Sequence, residues 1–229
     1  MSDSSTDSLQ WHFSPSKEIL QSRLFIAGGY LVVSGLFREE TLQGLSAEAN
    51  AVRPKALRSY VADSDETEGC PARTYRSGAG GDLHWALHGC QQMAETLGRL
   101  CGVPVSAAGS GTYCYYEQDG DFLGLHRDVL DCDIAVITSL TNSTADASTG
   151  ELVVYPQFIR APLSTARSAG RACGTFVPLD RGQTIILLGG LVPHEVAPMR
   201  VGQERIVAIN CYRTQTAEIR NAEPLSTLS

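Results

Sequence analysis

The sequence has no excess of positive charge: 18 Lys and Arg stand against 25 Asp and Glu, a formal net charge of -7. Proteins that grip nucleic acid or an anionic membrane surface ordinarily need a basic footprint, so neither partner is expected. No apolar run approaches the roughly 18 residues that a membrane-spanning helix requires. The opening MSDSSTDSLQ also lacks the charged-then-apolar design of a secretory leader. The seven cysteines, Cys70, Cys90, Cys101, Cys114, Cys132, Cys173 and Cys211, are odd in number and never fall in C-x-x-C spacing. They read as reduced thiols packed as small apolar residues in a cytoplasmic protein. There is no internal repeat.

What is present is an ordinary core-forming composition, 43% apolar over 229 residues, enough for one domain. Residues 1–14 are rich in Ser and Asp and read as a flexible N-terminus. A single domain is expected over 15–216, with a strand and supporting helices in 15–104 and a β core in 105–216. Residues 217–229 are left as a tail. Phe25 to Phe37 suggests a strand; Arg38 to Ala51 reads helical through Leu42, Leu45 and Ala49. Tyr60 to Gly81 is polar and Gly-rich and is expected to be a surface segment. Leu83 to Leu100 returns to helical period, closed by Gly102 and Pro104.

Beyond Pro104 eight short runs rich in Val, Ile, Tyr and Thr follow one another, from Thr112–Glu117 to Arg205–Arg213. Turn compositions such as Asp119-Gly120, Asp180-Arg181-Gly182 and Arg200-Val201-Gly202 separate them. This predicts a mainly β fold, closed or double-sheeted, with flanking helices. One insertion, Gln157 to Gly174, carries Arg160, Arg167 and Arg171 and reads equally as a lid or as a solvated excursion.

His126 and Asp128 lie at i and i+2, so on an extended strand both project from one face while Arg127 points away. One imidazole and one carboxylate become a facial metal triad when a second imidazole joins them. His194, set between the apolar run Thr184–Leu188 and the strand that follows it, is the candidate partner. Arg205, eleven residues further on, supplies a guanidinium able to bind a carboxylate bidentately. His84 and His88 share the i, i+4 spacing of a helical metal pair, but Trp85 stands where an acid would be needed; they read as structural. His12 has no context.

The ordered set Tyr116, His126-x-Asp128, Gly150-Glu151-Leu152, His194 and Arg205, over residues 110–213, resembles the Fe(II)- and 2-oxoglutarate-dependent dioxygenases. GGYLVVSGLFREETLQGL looks like the phytanoyl-CoA-dioxygenase-like branch and YYEQDGDFLGLHRD like the prolyl-hydroxylase-like branch. The resemblance implies a double-stranded β-helix, or jelly roll, in which His126, Asp128 and His194 hold Fe(II). Arg205 would then bind the distal carboxylate of 2-oxoglutarate, with Tyr116 assisting, although Tyr113 or Tyr115 could be the inward tyrosine instead. The arginine-x-serine signature is absent, since Val207 follows.

The implied reaction couples O2 and 2-oxoglutarate to substrate oxidation, releasing succinate and CO2, with ascorbate as a supporting reductant. Asp128 favours oxygenation over halogenation, because related halogenases replace this carboxylate by a small residue. Hydroxylation of a small molecule such as an amino acid or specialised metabolite is the leading expectation. Peptidyl hydroxylation, desaturation or ring closure, and a non-catalytic metal- or ligand-binding jelly roll are the alternatives. Arg213, Arg73 and Arg76 are candidate substrate contacts. Substrate identity and oligomeric state are not encoded in any motif.

Overall fold

A computed structural model describes residues 15–67, 69–129, 131–143 and 149–215. The expectations placed on 1–14, His12 and 217–229 lie outside the described residues. The N-terminal part runs α1 (Lys17–Leu20), α2 (Arg23–Ile26), β1 (Tyr30–Val33), α3 (Glu39–Val52), β2 (Leu57–Val61), β3 (Arg73–Ala79), α4 (Asp82–His88) and α5 (Gln91–Cys101). The β-rich part follows as β4 (Val105–Tyr116), β5 (Phe122–His126), β6 (Ile134–Asn142), β7 (Leu152–Val154), α6 (Leu163–Ala169), β8 (Thr175–Val177), β9 (Thr184–Leu187), β10 (His194–Val196) and β11 (Arg205–Thr214).

The strands pair antiparallel in the order β1-β9-β6-β11-β4-β3-β5-β10-β7-β8, with β2 on β3. The sheet folds over itself, because β4, β6 and β11 from one wing and β5, β7 and β10 from the other line a common cavity. This is the jelly-roll architecture that the strand pattern and the family resemblance predict. β6 is buried from Ile134 to Leu140, the signature of a strand covered on both faces. Helix α3 supplies part of the outer cover. Leu42, Leu45 and Ala49 pack with Tyr113, Tyr115, Leu140, Ile206 and Ala208, each leucine contributing roughly 1.5–3 kcal/mol by burial.

Four local expectations change. The Phe25–Phe37 strand shrinks to Tyr30–Val33, because Ser22 caps a helical turn through its hydroxyl (3.1 Å to the Phe25 amide) and Gly28 and Gly29 turn the chain with φ of 97° and 82°. The Leu83–Leu100 helix is two helices, broken where Gly89 closes α4 and Cys90 adopts an extended backbone. The polar stretch 60–81 holds β3 and the end of β2, and the heads of its Arg73 and Arg76 are satisfied by the Ser59 hydroxyl and the Arg53 carbonyl, so polar residues here sit within a strand.

The fourth correction concerns the thiols. Cys132 and Cys211 form a disulfide across 79 residues of sequence, with Cα atoms 4.7 Å apart. Cys132 precedes β6 and Cys211 lies on β11, which pairs with β6 through Cys211 and Ala135. No local spacing could announce a pair made by strand order alone. Cys70, Cys90, Cys101, Cys114 and Cys173 remain free thiols.

Candidate metal centre

His126 ends β5 and His194 opens β10, and the two are direct cross-strand partners. Regular alternation would put His126 and Leu123 on opposite faces. The register slips between the His194–His126 and Val196–Leu123 pairs, a β-bulge that turns both inward. Gly124 makes the bulge possible: its amide donates to the Ala72 carbonyl at 2.7 Å, and a Cβ there would lie 2.8 Å from the same oxygen. The bulge also aims the Gly124 carbonyl at His126 Nδ1, 2.8 Å away. His194 repeats the arrangement, its Nδ1 lying 2.9 Å from the Val192 carbonyl.

A carbonyl can only accept, so each Nδ1 carries a proton, and it is at Nε2 that the neutral form of each ring presents its lone pair. Both Nε2 atoms face one carboxylate oxygen. Asp128 Oδ1 lies 3.5 Å from His126 Nε2 and 3.6 Å from His194 Nε2. The three groups are the one cluster among the described residues with the spacing of a metal site.

Electrostatically they are unequal. For Asp128 burial favours the neutral acid, but the two imidazoles outweigh it and hold the carboxyl well below its usual range. Burial and the neighbouring His194 push His126 down, whereas at His194 the Asp128 charge overcomes burial and raises it. Asp128 Oδ2 is buried with no hydrogen-bond partner. An anionic oxygen left without a donor beside two lone-pair nitrogens is a donor set suited to a divalent cation.

The cluster opens on a cavity of about 70 Å³. Its walls are otherwise apolar, from Leu123, Ala135, Ile137, Leu152, Val196, Val207 and Ile209 and the Cys132–Cys211 disulfide. Two further polar side chains, Arg205 and Tyr116, line it. Arg205 is 2% exposed, and no carboxylate lies within ion-pair distance of it among the described residues; its Nε has no hydrogen-bond partner. Tyr116 is its cross-strand neighbour, with the guanidinium carbon 5.5 Å from the ring centroid.

The tyrosine ambiguity is resolved by parity. Tyr113 donates to Glu48 (2.7 Å) and Tyr115 to the Ala49 carbonyl (2.7 Å), both on the outer, α3-covered face. Burial raises the Tyr116 hydroxyl well above its ordinary pKa, so it is present as a neutral phenol.

The other sequence candidates are dispersed. Arg76 pairs with Tyr115 on the outer face and donates to the Arg53 and Ala56 carbonyls, away from the cavity. Arg213 is exposed and forms an ion pair with Asp131. Arg73 is opposite Leu123, a cavity residue, and is held by the Ser59 hydroxyl at 2.7 Å and the Pro71 carbonyl at 3.2 Å. His84 stacks near Tyr113 (4.6 Å) and His88 meets the Cys211 carbonyl (2.9 Å), neither approaching the triad.

Gly189 is a site residue that pattern reading missed. Its carbonyl accepts from the Asp128 amide at 2.9 Å, and a Cβ there would meet Asp128 Oδ2 at 1.9 Å. In the sequence it is half of a Gly189-Gly190 turn signal, which says nothing of a carboxylate resting against it.

No protein-family profile matches the sequence, and no curated protein sequence matches it. Solved structures do. The chain is similar to the non-heme α-ketoglutarate-dependent epimerase SnoN from nogalamycin biosynthesis, with TM-score 0.64 and 15% identity over 88% of this chain and 85% of that one. EctD from S. alaskensis, solved with 2-oxoglutarate and 5-hydroxyectoine, gives 0.61 and 19% over 90% and 78%. A Pseudomonas putida prolyl-4-hydroxylase gives 0.54 and 14% over 86% and 98%. At these identities the likeness is one of fold: the chain carries the jelly roll of the 2-oxoglutarate- and Fe(II)-dependent oxygenases.

Proposed function

We propose that the protein is an Fe(II)- and 2-oxoglutarate-dependent oxygenase that hydroxylates an unactivated C–H bond of a small molecule. The observation that carries this reading is Arg205, a buried guanidinium without a counter-anion among the described residues, in the same small cavity as His126, Asp128 and His194. A buried charge left unpaired is costly. A dicarboxylate reaching from the metal to Arg205 would satisfy both ends.

In this reading His126, Asp128 and His194 are the three iron ligands, and Arg205 pairs bidentately with the distal carboxylate of the co-substrate. Tyr116, a neutral phenol against the guanidinium, is the further donor to that carboxylate. Bound iron supplies the activation of O2 and the oxidative decarboxylation of 2-oxoglutarate to succinate and CO2, coupled to oxidation of the substrate. The carbonyls of Gly124 and Val192 keep both imidazoles in the tautomer that offers Nε2. The Leu123, Leu152, Val196 and Ile209 walls exclude water from the reacting centre.

Arg73, beside cavity residue Leu123 and held by neutral acceptors, is assigned to an anionic group on the substrate. Arg73→Ala should raise KM for that substrate and leave kcat nearly unchanged; an unaltered KM removes the assignment. Among the fold neighbours SnoN is an epimerase, and EctD was solved with a hydroxylated small molecule. The product is therefore what the experiment must read.

The test is a small-molecule library incubated with Fe(II), 2-oxoglutarate, O2 and ascorbate, with succinate and substrate mass followed together. Hydroxylation gives succinate and a product heavier by one oxygen. A product of unchanged or lower mass would replace hydroxylation by epimerisation, desaturation or cyclisation. Succinate formation that survives His194→Ala would sink the iron assignment.

A further inference from the structure

The side chains that point backwards from the ligand-bearing segments converge on one element. Arg127, between His126 and Asp128, is 7% exposed although it is an arginine. Its Nε donates to the Leu191 carbonyl at 2.9 Å, and Nη2 donates to the carbonyls of Phe158 at 2.9 Å and Ala161 at 2.7 Å. Leu191 lies in the turn that delivers His194; Phe158 and Ala161 belong to the 157–174 insertion. Glu195, directly after His194, is 6% exposed and also faces backwards. It accepts from Arg171 of the insertion at 3.0 and 2.8 Å and from the Tyr155 hydroxyl. Between these two polar ties, Leu163 and Ala166 of α6 pack on Leu125, the residue before His126.

We propose that the 157–174 insertion is a rear brace for the metal centre, and that Arg127 and Glu195 are positioning residues acting through the ligands next to them. The inference rests on the metal-site reading above. The insertion is thereby neither a lid nor a solvated excursion. Two of its three arginines are held by acids outside it, Arg171 by Glu195 and Arg167 by Glu66, and Arg160 is exposed.

The physical logic is one of geometry. Ligand atoms must hold their places within about 0.2 Å of ideal distances for tight binding. β10 is only three residues long and Asp128 lies beyond the end of β5, so ladder hydrogen bonds alone fix these segments weakly. A planar guanidinium fixes the angles between the carbonyls it holds, which an ammonium cannot do. Arg127 thus sets the separation between the His126–Asp128 segment and the turn leading to His194, and Arg171–Glu195 sets the orientation of β10.

The experiment uses the full-length protein without co-substrate. Mn(II) dissociation constants are measured by EPR, the Co(II) absorption spectrum is recorded as a reporter of ligand geometry, and the thermal midpoint is followed for each variant. Arg127→Met should weaken Mn(II) binding ~10–100-fold, as loss of a group supporting a ligand does. Arg127→Lys should fall between it and the wild type, and Arg171→Met should weaken binding by a smaller factor. All three should alter the Co(II) spectrum.

Leu97→Ala, a buried truncation on α5, provides the comparison for general destabilisation. If Arg171→Met and Arg127→Lys lower the thermal midpoint as Leu97→Ala does but keep the wild-type dissociation constant and spectrum, the insertion is scaffold only and the proposal is overturned. Should Arg127→Met fail to fold, the other two variants decide. His194→Ala separates the two readings: if it binds Mn(II) like the wild type, the ion sits elsewhere, and the metal-site reading itself falls and takes the brace with it.

Discussion

Replacing Gly189 by alanine adds one methyl group and tests the metal site from a direction that no ligand mutation can. The new Cβ would lie 1.9 Å from Asp128 Oδ2, 2.8 Å from its carboxyl carbon and 3.3 Å from its Cβ. Real Cβ contacts essentially never fall below 3.0 Å, so the oxygen must retreat by at least 3.0 − 1.9 = 1.1 Å. Oδ2 shares one rigid carboxyl with Oδ1, the oxygen that faces both Nε2 atoms, so the carboxylate is displaced by several times the ~0.2 Å within which metal–ligand distances fall. A misplacement on the order of 1 Å can cost ~100-fold in function. The clash meets the end of a side chain, and the Asp128 amide keeps its bond to the residue 189 carbonyl, so the fold should survive. The expected result is an apo protein melting near the wild type whose Mn(II) dissociation constant, by EPR or calorimetry, rises ~100-fold. A wild-type dissociation constant for Gly189→Ala would refute the argument, since the carboxylate could then move by an ångström without consequence for the ion.

Arg205→Met should raise the 2-oxoglutarate KM by ~10–100-fold, in line with the roughly 1.5–3 kcal/mol of a charge-assisted bond. It should also stabilise the ligand-free protein, since an apolar side chain replaces a buried cation that has no counter-anion among the described residues; a fall in the apo midpoint would contradict that unpaired state. Burial pushes His84 down from 6.5 to about 4, against Glu48, which raises it. The unfolded state therefore binds the extra proton between these values, and stability present above pH 6.5 is lost as pH falls towards 4. From a shift of 6.5 − 4 = 2.5, the loss at pH 5 is about 2 kcal/mol. Urea titrations at pH 7 and 5 should show it in the wild type and not in His84→Gln; equal losses in both would assign the pH dependence to other groups. Reduction of Cys132–Cys211, which spans 79 residues, should cost up to about 4.5 kcal/mol by the loop-entropy relation, read as a lower urea midpoint with dithiothreitol. An unmoved midpoint would mean that the constraint on the unfolded chain adds nothing to the net stability.

The residues legible in the sequence are those whose chemistry is rare and whose spacing survives folding. His126, Asp128 and His194 were assembled from residue type and strand parity, and Arg205 from the use of a guanidinium on the following strand. The parity argument leads to three residues that the fold does bring together, but by an incomplete route. His126 faces the cavity because of a bulge at Gly124, and a bulge is set by the Ala72 carbonyl of a segment that read as a polar surface stretch. The inward tyrosine stayed open for a related reason: Tyr113, Tyr115 and Tyr116 differ only in what lies across from them, Glu48 and Ala49 on α3 or Arg205 on β11. The Cys132–Cys211 bond and the backward reach of Arg127 are further removed from any local pattern, since strand order alone creates them. Arg127 looked like the residue that points away from the chemistry, and it does. Because it points away, it can hold the carbonyls of Leu191, Phe158 and Ala161 at once and tie both ligand segments to one support. Under the metal-site proposal the triplet His126-Arg127-Asp128 has two faces, ligands in front and their fixation behind, and only the first of them has a sequence signature.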